Sequence, residues 1–185
     1  DNALSLKVSG ILDNTHGEIE THADNFALTS YKIINDGGEI RHLGEGTFSI
    51  YGEGNFTNDR GELGTRGNLD IHLDGSFIND GKLIAMKDLF IDAADIKNLS
   101  DRLISAANIH FSADHNRNQG TIQSNKLSAS GENFDNRGGK LLVLGGADQS
   151  IVLDVDQFDN RDGGLLEING GNNTLSANIS NDKGR

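Results

Sequence analysis

The stretch "FDNRGGKLL" (Phe134–Leu142) returns almost unchanged 24 residues later as "FDNRDGGLL" (Phe158–Leu166). A catalytic motif is usually needed once, whereas a phrase that recurs at a regular period is typical of a repeat architecture. In its weakened form the phrase is an apolar residue, any residue, Asn, a short turn, Gly and another apolar residue. The Asn occurs nine times at intervals of 18 to 24 residues, at Asn14, Asn35, Asn58, Asn79, Asn98, Asn118, Asn136, Asn160 and Asn181.

Apolar residues and glycines keep register with these asparagines. The residue two positions before the Asn is apolar in every copy except one, where Asn116 takes its place. After the Asn comes a glycine, at Gly17, Gly38, Gly61, Gly81, Gly120, Gly139, Gly163 and Gly184. Asp101 replaces it in the remaining copy, and both residue types tolerate a left-handed backbone, so we expect positive φ there. The apolar residue that follows is Ile19, Ile40, Leu63, Leu83, Leu103, Ile122, Leu141 or Leu165.

Composition restricts the class of protein. The chain has 185 residues, with 28 acidic and 16 basic side chains, a net charge of −12 and no dense Lys/Arg run. This balance argues against binding to nucleic acid or to anionic lipid. The absence of Cys excludes disulfides and thiolate metal sites, and no run approaches the roughly 20 apolar residues of a membrane span. Because both ends fall inside repeat units, we expect residues 1–185 to be one segment excised from a longer protein.

Between the asparagines lie short stretches with strand periodicity. In "NLDIHL" (Asn68–Leu73) three apolar residues alternate with Asp70 and His72, as in a strand with one buried face. An antiparallel sandwich would use the Asn-containing turns as hairpins, but it gives no reason for Asn to return in every unit. In a parallel β-helix, equivalent residues stack, and Asn offers a donor and an acceptor to the next coil. The prediction is an all-β, right-handed parallel β-helix of about nine coils, each of ~21 residues.

One segment also fits a second interpretation. Apolar residues at helical spacing in "AADIKNLSDRLISAAN" (Ala93–Asn108), with Ser100 as an N-cap, would allow a short helix. The coil register accounts for the segment better. Residues from Ala93 to Asn118 are nevertheless the least regular part of the repeat.

Several polar groups invite a chemical role. Two of them pair histidines with acids, namely His16, Glu18, Glu20 and His22, and His110, Asp114 and His115. Six aspartates follow one another over neighbouring units, at Asp70, Asp74, Asp80, Asp88, Asp92 and Asp95. The histidine groups lack a fixed ligand geometry, and the aspartates are evenly spread with no aromatic platform beside them. We therefore predict solvated surfaces, with no catalytic residue, no metal site and no cofactor.

Two stretches resemble a known family. "LDIHLDGSFINDGKLIA" (Leu69–Ala85) and "KLSASGENFDNRGGKLL" (Lys126–Leu142) are similar to the filamentous haemagglutinin repeat of two-partner-secreted exoproteins. The resemblance implies a secreted or surface filament of a Gram-negative bacterium, passed unfolded through an outer-membrane transporter. Adhesins, haemolysins and contact-dependent growth-inhibition toxins share these repeats.

The resemblance leads to three hypotheses about function. The first is a shaft segment that holds an adhesive or toxic tip away from the cell, with no enzymatic activity of its own. The second is a module that binds a target-cell receptor or glycan, with Ala93–Asn118 as its expected site. The third is a β-helical polysaccharide hydrolase or lyase that uses paired carboxylates. The transporter is the partner that the resemblance implies for the parent protein.

Overall fold

The computed structural model describes residues 2–144 and 150–185, which form a parallel β-solenoid of about eight turns. Every strand pairing in this part of the chain is parallel, so the predicted parallel β-helix is confirmed and the antiparallel sandwich is wrong. The prediction of nine coils was slightly too high. The strands are β1 (Ala3–Asp13), β2 (Glu18–Thr21), β3 (Asn25–Ile34), β4 (Glu39–His42), β5 (Thr47–Gly52), β6 (Phe56–Thr65), β7 (Asn68–Leu73), β8 (Phe77–Ala85), β9 (Asp88–Asp92), β10 (Asp95–Asn98), β11 (Leu103–Ser105), β12 (Asn108–Ser112), β13 (His115–Asn118), β14 (Thr121–Ser124), β15 (Lys126–Asp135), β16 (Lys140–Val143), β17 (Ser150–Asp159), β18 (Leu165–Ile168) and β19 (Thr174–Ser180).

Each coil contains three strand segments. In the middle of the solenoid they are separate strands, and β9, β10 and β11 pair with β12, β13 and β14 of the next coil. Elsewhere one long strand runs through two segments, as β6 and β8 do. A strand that turns a corner without a break carries no turn signal, so the sequence shows fewer elements than the fold contains.

The interior consists of columns of apolar side chains, because strand alternation turns the same residue of every coil inward. The residue two before each Asn forms one such column, in which Phe56 pairs in register with Phe77 and Phe134 with Phe158. The ring centroids of these pairs lie 5.4 Å and 6.0 Å apart, with the rings edge to face. Edge-to-face contacts add to the stabilisation that burial alone provides.

Two of the apolar residues predicted to follow the turn are not the ones that point inward. The inward position after the turn is held by Ile104 and Leu166, which are in register with Leu83 and Leu141, and not by Leu103 and Leu165. Both coils have a turn that is one residue longer, and the extra residue moves the inward position by one. The alternative helix is also wrong, because the segment from Ala93 to Asn108 forms β10, a turn and β11 within the stack.

Candidate functional site

The nine repeated asparagines form one continuous ladder along the solenoid axis. Each Nδ2 donates a hydrogen bond to the Oδ1 of the next Asn, over 2.7–2.9 Å, from Asn14 through to Asn181. The same Nδ2 also donates to a main-chain carbonyl of the next coil, over 3.1–3.2 Å. The structure thus brings all nine predicted positions together in one column.

The ladder is buried from Asn14 to Asn160, and only its last residue, Asn181, is exposed. The side chains of Asn35, Asn58, Asn79 and Asn98 have no exposed surface, and Asn14 retains only 7%. Burying an amide is costly unless its donors and acceptors are satisfied, and here each amide is satisfied by the neighbouring coil. The buried side chains have no access to a ligand, so their role is to join the coils in register.

The glycines after the ladder serve close packing and not the expected backbone conformation. Only Gly163 among them has positive φ, at 84°, and Asp101 has the expected positive φ of 63°. In most other turns the positive φ falls one residue earlier, as at His16 and Arg60. A Cβ at Gly61 would instead collide with the main-chain oxygen of Asn35 in the coil below. The prediction that these glycines adopt positive φ was therefore wrong for all but Gly163. The stack requires glycine because a Cβ would collide with the neighbouring coil.

The histidine and acid groups do not converge on a site. Glu18 and Glu20 are held by Arg41, at 2.7 Å and 3.3 Å, whereas His16 and His22 are exposed. His110 accepts or donates a hydrogen bond with Ser128, and His115 with Asn133, so each histidine pairs with a different residue of the next coil. Within residues 2–144 and 150–185, no group of three or more His, Cys, Asp or Glu side chains is arranged to hold a metal ion.

The six aspartates are divided among separate surfaces. Asp80 accepts a hydrogen bond from Arg102 at 2.6 Å, and Asp95 accepts from Ser76 and Lys97. Asp88 accepts from Asn108, and partial burial raises the pKa of Asp70 above its ordinary value. Asp74 and Asp92 are exposed and line a groove.

The sequence predicts no aromatic platform beside these acids, but aromatic side chains do lie next to two of them, Asp74 and Asp92. Tyr51 of β5 and His72 of β7 are in register and stack with their rings 5.4 Å apart and 9° from parallel. Phe90 packs at the other side of His72, with 5.4 Å between the ring centroids. The residue types at outward positions do not repeat from coil to coil. The sequence therefore offered only one indication of these rings, the strand alternation that turns residues 51 and 72 away from the core.

A groove of about 740 Å³ runs along the outer surface beside these rings. One wall is formed by residues that stack in register from Lys7 through Thr29, Tyr51 and His72 to Asp92. Tyr31, Glu53 and Asp74 line the other side. We call this surface the Tyr51 groove.

A buried histidine is the second polar feature that the sequence analysis missed. His42 is fully buried beside Phe26 and Phe48, and its ring nitrogens bond to the Thr65 hydroxyl at 2.8 Å and the Ala23 carbonyl at 2.9 Å. Alternation after Ile40 places residue 42 inward, which is the signal that could have identified it. Both nitrogens are satisfied by residues of the neighbouring coils, so His42 is part of the core.

Comparison with known proteins gives one match. The family model of the haemagglutinin repeat matches residues 64–138, a segment that begins in β6 and ends in the turn after Asn136. No curated protein and no solved structure matches the chain. No helix in the described part of the chain is long and apolar enough to cross a membrane. Residues 64–138 are therefore a filamentous haemagglutinin repeat region, and the same ladder and strand pairings continue on both sides of it.

Proposed function

We propose that this protein is a shaft segment of a secreted or surface-exposed bacterial filament, which carries an adhesive or toxic tip towards target cells. The observation that supports it most directly is the unbroken Asn ladder, which joins every coil from Asn14 to Asn181. Haemagglutinin-repeat proteins are generally secreted or surface-exposed.

The geometry suits a spacer. Each coil adds about 4.8 Å of length, so eight turns form a rod of roughly 40 Å. Every coil is bonded to its neighbours through main-chain hydrogen bonds, the ladder and the apolar columns, so a force along the axis is shared among many parallel bonds. The ladder amides and His42 are hydrogen-bonded within this stack, and the spacer role needs no reactive residue.

The same proposal includes the route of export. A Cys-free chain has no disulfide to obstruct unfolded passage through a membrane pore. A dedicated outer-membrane transporter is therefore the partner that we assign to the parent protein. Once outside, the chain would fold coil by coil, because each repeat contacts only its neighbours.

An in-frame deletion within the parent protein tests the spacer role. Removing residues 98–135 joins Lys97 to Asn136, so that one ladder residue takes the place of another and two coils are lost. We expect normal secretion, a filament shorter by about 10 Å, and unchanged activity towards target cells. Loss of target-cell binding with secretion intact would contradict the proposal, because a spacer does not contribute contacts of its own.

A second candidate function, a binding module, is favoured by one observation, the Tyr51 groove. The expected location, Ala93–Asn118, stays within the regular stack, whereas the groove lies on the preceding coils. The deletion above leaves the groove intact, so the two functions can be tested separately.

A further inference from the structure

The Tyr51 groove brings several carboxylates together on one surface. Among the described residues, some carboxylates elsewhere are paired with cations, as in Asp36 with Arg60 at 2.7 Å and Asp80 with Arg102 at 2.6 Å, whereas others, such as Asp154 and Asp156, have no such partner. In the described part of the chain, neither Glu53 nor Asp74 pairs with a Lys or Arg side chain, and Asp92 lies only within 3.9 Å of His72. Three carboxylates without a cationic partner thus face one groove.

Aromatic rings border these carboxylates. Tyr31 and Tyr51 expose 54% and 45% of their surfaces. Tyrosine rings attract ammonium and guanidinium groups, and their edges pack against the alkyl stems of Lys and Arg. The stacked rings of Tyr51 and His72 cover each other's faces, which leaves little flat surface for a sugar ring.

The groove also has a length and a direction. Its wall crosses five coils from Lys7 to Asp92, which corresponds to about 20 Å at the coil spacing. An extended peptide of about six residues spans that distance at roughly 3.3 Å per residue. Lys7 stands at one end and the three carboxylates towards the other, so a basic ligand is favoured at the Asp92 end.

We propose that the Tyr51 groove binds an extended peptide segment of a partner protein that carries Lys or Arg side chains. The basic side chains lie between the Tyr31 ring and the carboxylates of Glu53, Asp74 and Asp92, and Ser9 and Thr29 offer hydroxyls to the peptide backbone. This inference goes beyond the spacer role and does not depend on it. A net charge of −12 assists association with a basic partner and disfavours an acidic one.

Binding is measured by fluorescence anisotropy on the purified chain with an acetylated hexapeptide of alternating Lys and Ser. The comparison peptide has Glu in place of Lys, and a neutral oligosaccharide serves as competitor. We expect saturable binding of the Lys peptide that weakens as salt increases, about threefold weaker binding for Asp92→Asn and about fivefold for Tyr31→Ala. Combining Glu53→Gln with Asp74→Asn should weaken it about tenfold.

The matched control is Asp154→Asn. Asp154 occupies the same outward column as Asp92 three coils further along, and its substitution changes the net charge equally. The proposal requires that Asp154→Asn leave binding unchanged. Equal weakening by the two variants would overturn it, since binding would then follow overall charge. Absence of saturable binding, equal binding of the Glu peptide or displacement by the oligosaccharide would also overturn it, and thermal melts of each variant establish that the fold is retained.

Discussion

Two neighbouring parts of the solenoid share one backbone stack but fill it differently. The large-core coils, residues 47–85, turn side chains such as Phe56, Leu73 and Phe77 inward. The small-core coils, residues 93–124, have small or polar residues at many inward positions, namely Ala93, Ala106, Ala113, Asn116 and Ser124. The ladder crosses from one part to the other with the same bond lengths, 2.8 Å from Asn79 to Asn98 and 2.9 Å from Asn98 to Asn118. Coil spacing is therefore set by the ladder and main-chain bonds, and core volume varies within that limit.

The small-core coils also carry unsatisfied polar atoms. Asn116 Oδ1 and Ser124 Oγ are buried and have no hydrogen-bond partner in the described part of the chain. A buried polar group without a partner costs about 1–3 kcal/mol. Less apolar burial and two such atoms make these coils the less stable part, and four predictions test this comparison.

The largest effect is expected at the glycine column of the large-core coils. Gly61→Ala places a methyl group against the main-chain oxygen of Asn35, which cannot move without separating the coils, so the free energy of unfolding should fall by about 3 kcal/mol. Gly64→Ala is the control in the same strand, because the nearest atom there is the Ile84 oxygen at 4.0 Å. Urea unfolding followed by circular dichroism measures both.

The equivalent position in the small-core coils sharpens this test. There a longer turn places Arg102 where the other coils have Gly, and Thr121 donates to its carbonyl as Glu62 donates to that of Gly38. Arg102→Ala should therefore cost only the exposed ion pair with Asp80, about 0–1 kcal/mol. A loss for Gly64→Ala as large as for Gly61→Ala would show that strand flexibility, and not the close approach, governs this column.

The ladder should matter equally in both parts. Asn79→Leu or Asn98→Leu leaves the amide of the preceding Asn without its acceptor and that of the next without its donor, at a cost of about 2–3 kcal/mol. Asp156→Asn, on the surface, should change stability by less than about 0.5 kcal/mol. If Asn98→Leu were harmless while Asn79→Leu was costly, the ladder would stabilise only coils with a filled core.

The features that repeat were predictable from the sequence, and those on the outer surface were not. The ladder column and the apolar column are specified in every unit, so nine imperfect copies reinforce one another. The Tyr51 groove depends on which outward residues fall above one another, and this follows from coil lengths of 18 to 24 residues together with shifts in register such as that between Asp59 and Glu62. His42 was missed for another reason, because one buried polar residue resembles any surface histidine until its strand alternation is followed.

A smaller effect, of opposite sign, is expected in the core of the small-core coils. Asn116 takes the inward position that Phe134 holds in the next coil, so Asn116→Leu should raise the free energy of unfolding by about 1 kcal/mol. Asn118→Leu, two residues later in the same strand, removes a ladder residue and should lower it. If Asn116→Leu failed to stabilise the protein, the unpartnered Oδ1 of Asn116 would carry no cost.

The smallest effect is a difference in pH dependence between the two parts. Partial burial raises the pKa of Asp70 in the large-core coils, so its contribution to stability is present below the unfolded value of 3.8 and is lost as the pH rises through the folded pKa. Burial alone would raise the pKa of Asp95 in the small-core coils, but hydrogen bonds from Ser76 and Lys97 lower it. The contribution of Asp95 to stability is therefore present above the unfolded value of 3.8 and is lost as the pH falls through the folded pKa. At neutral pH, Asp70→Asn should therefore stabilise the protein slightly and Asp95→Asn destabilise it slightly. Urea unfolding at neutral pH and just below the ordinary aspartate pKa measures both effects. If Asp95→Asn stabilised the protein at neutral pH, as Asp70→Asn is expected to do, the ion pair of Asp95 would contribute nothing.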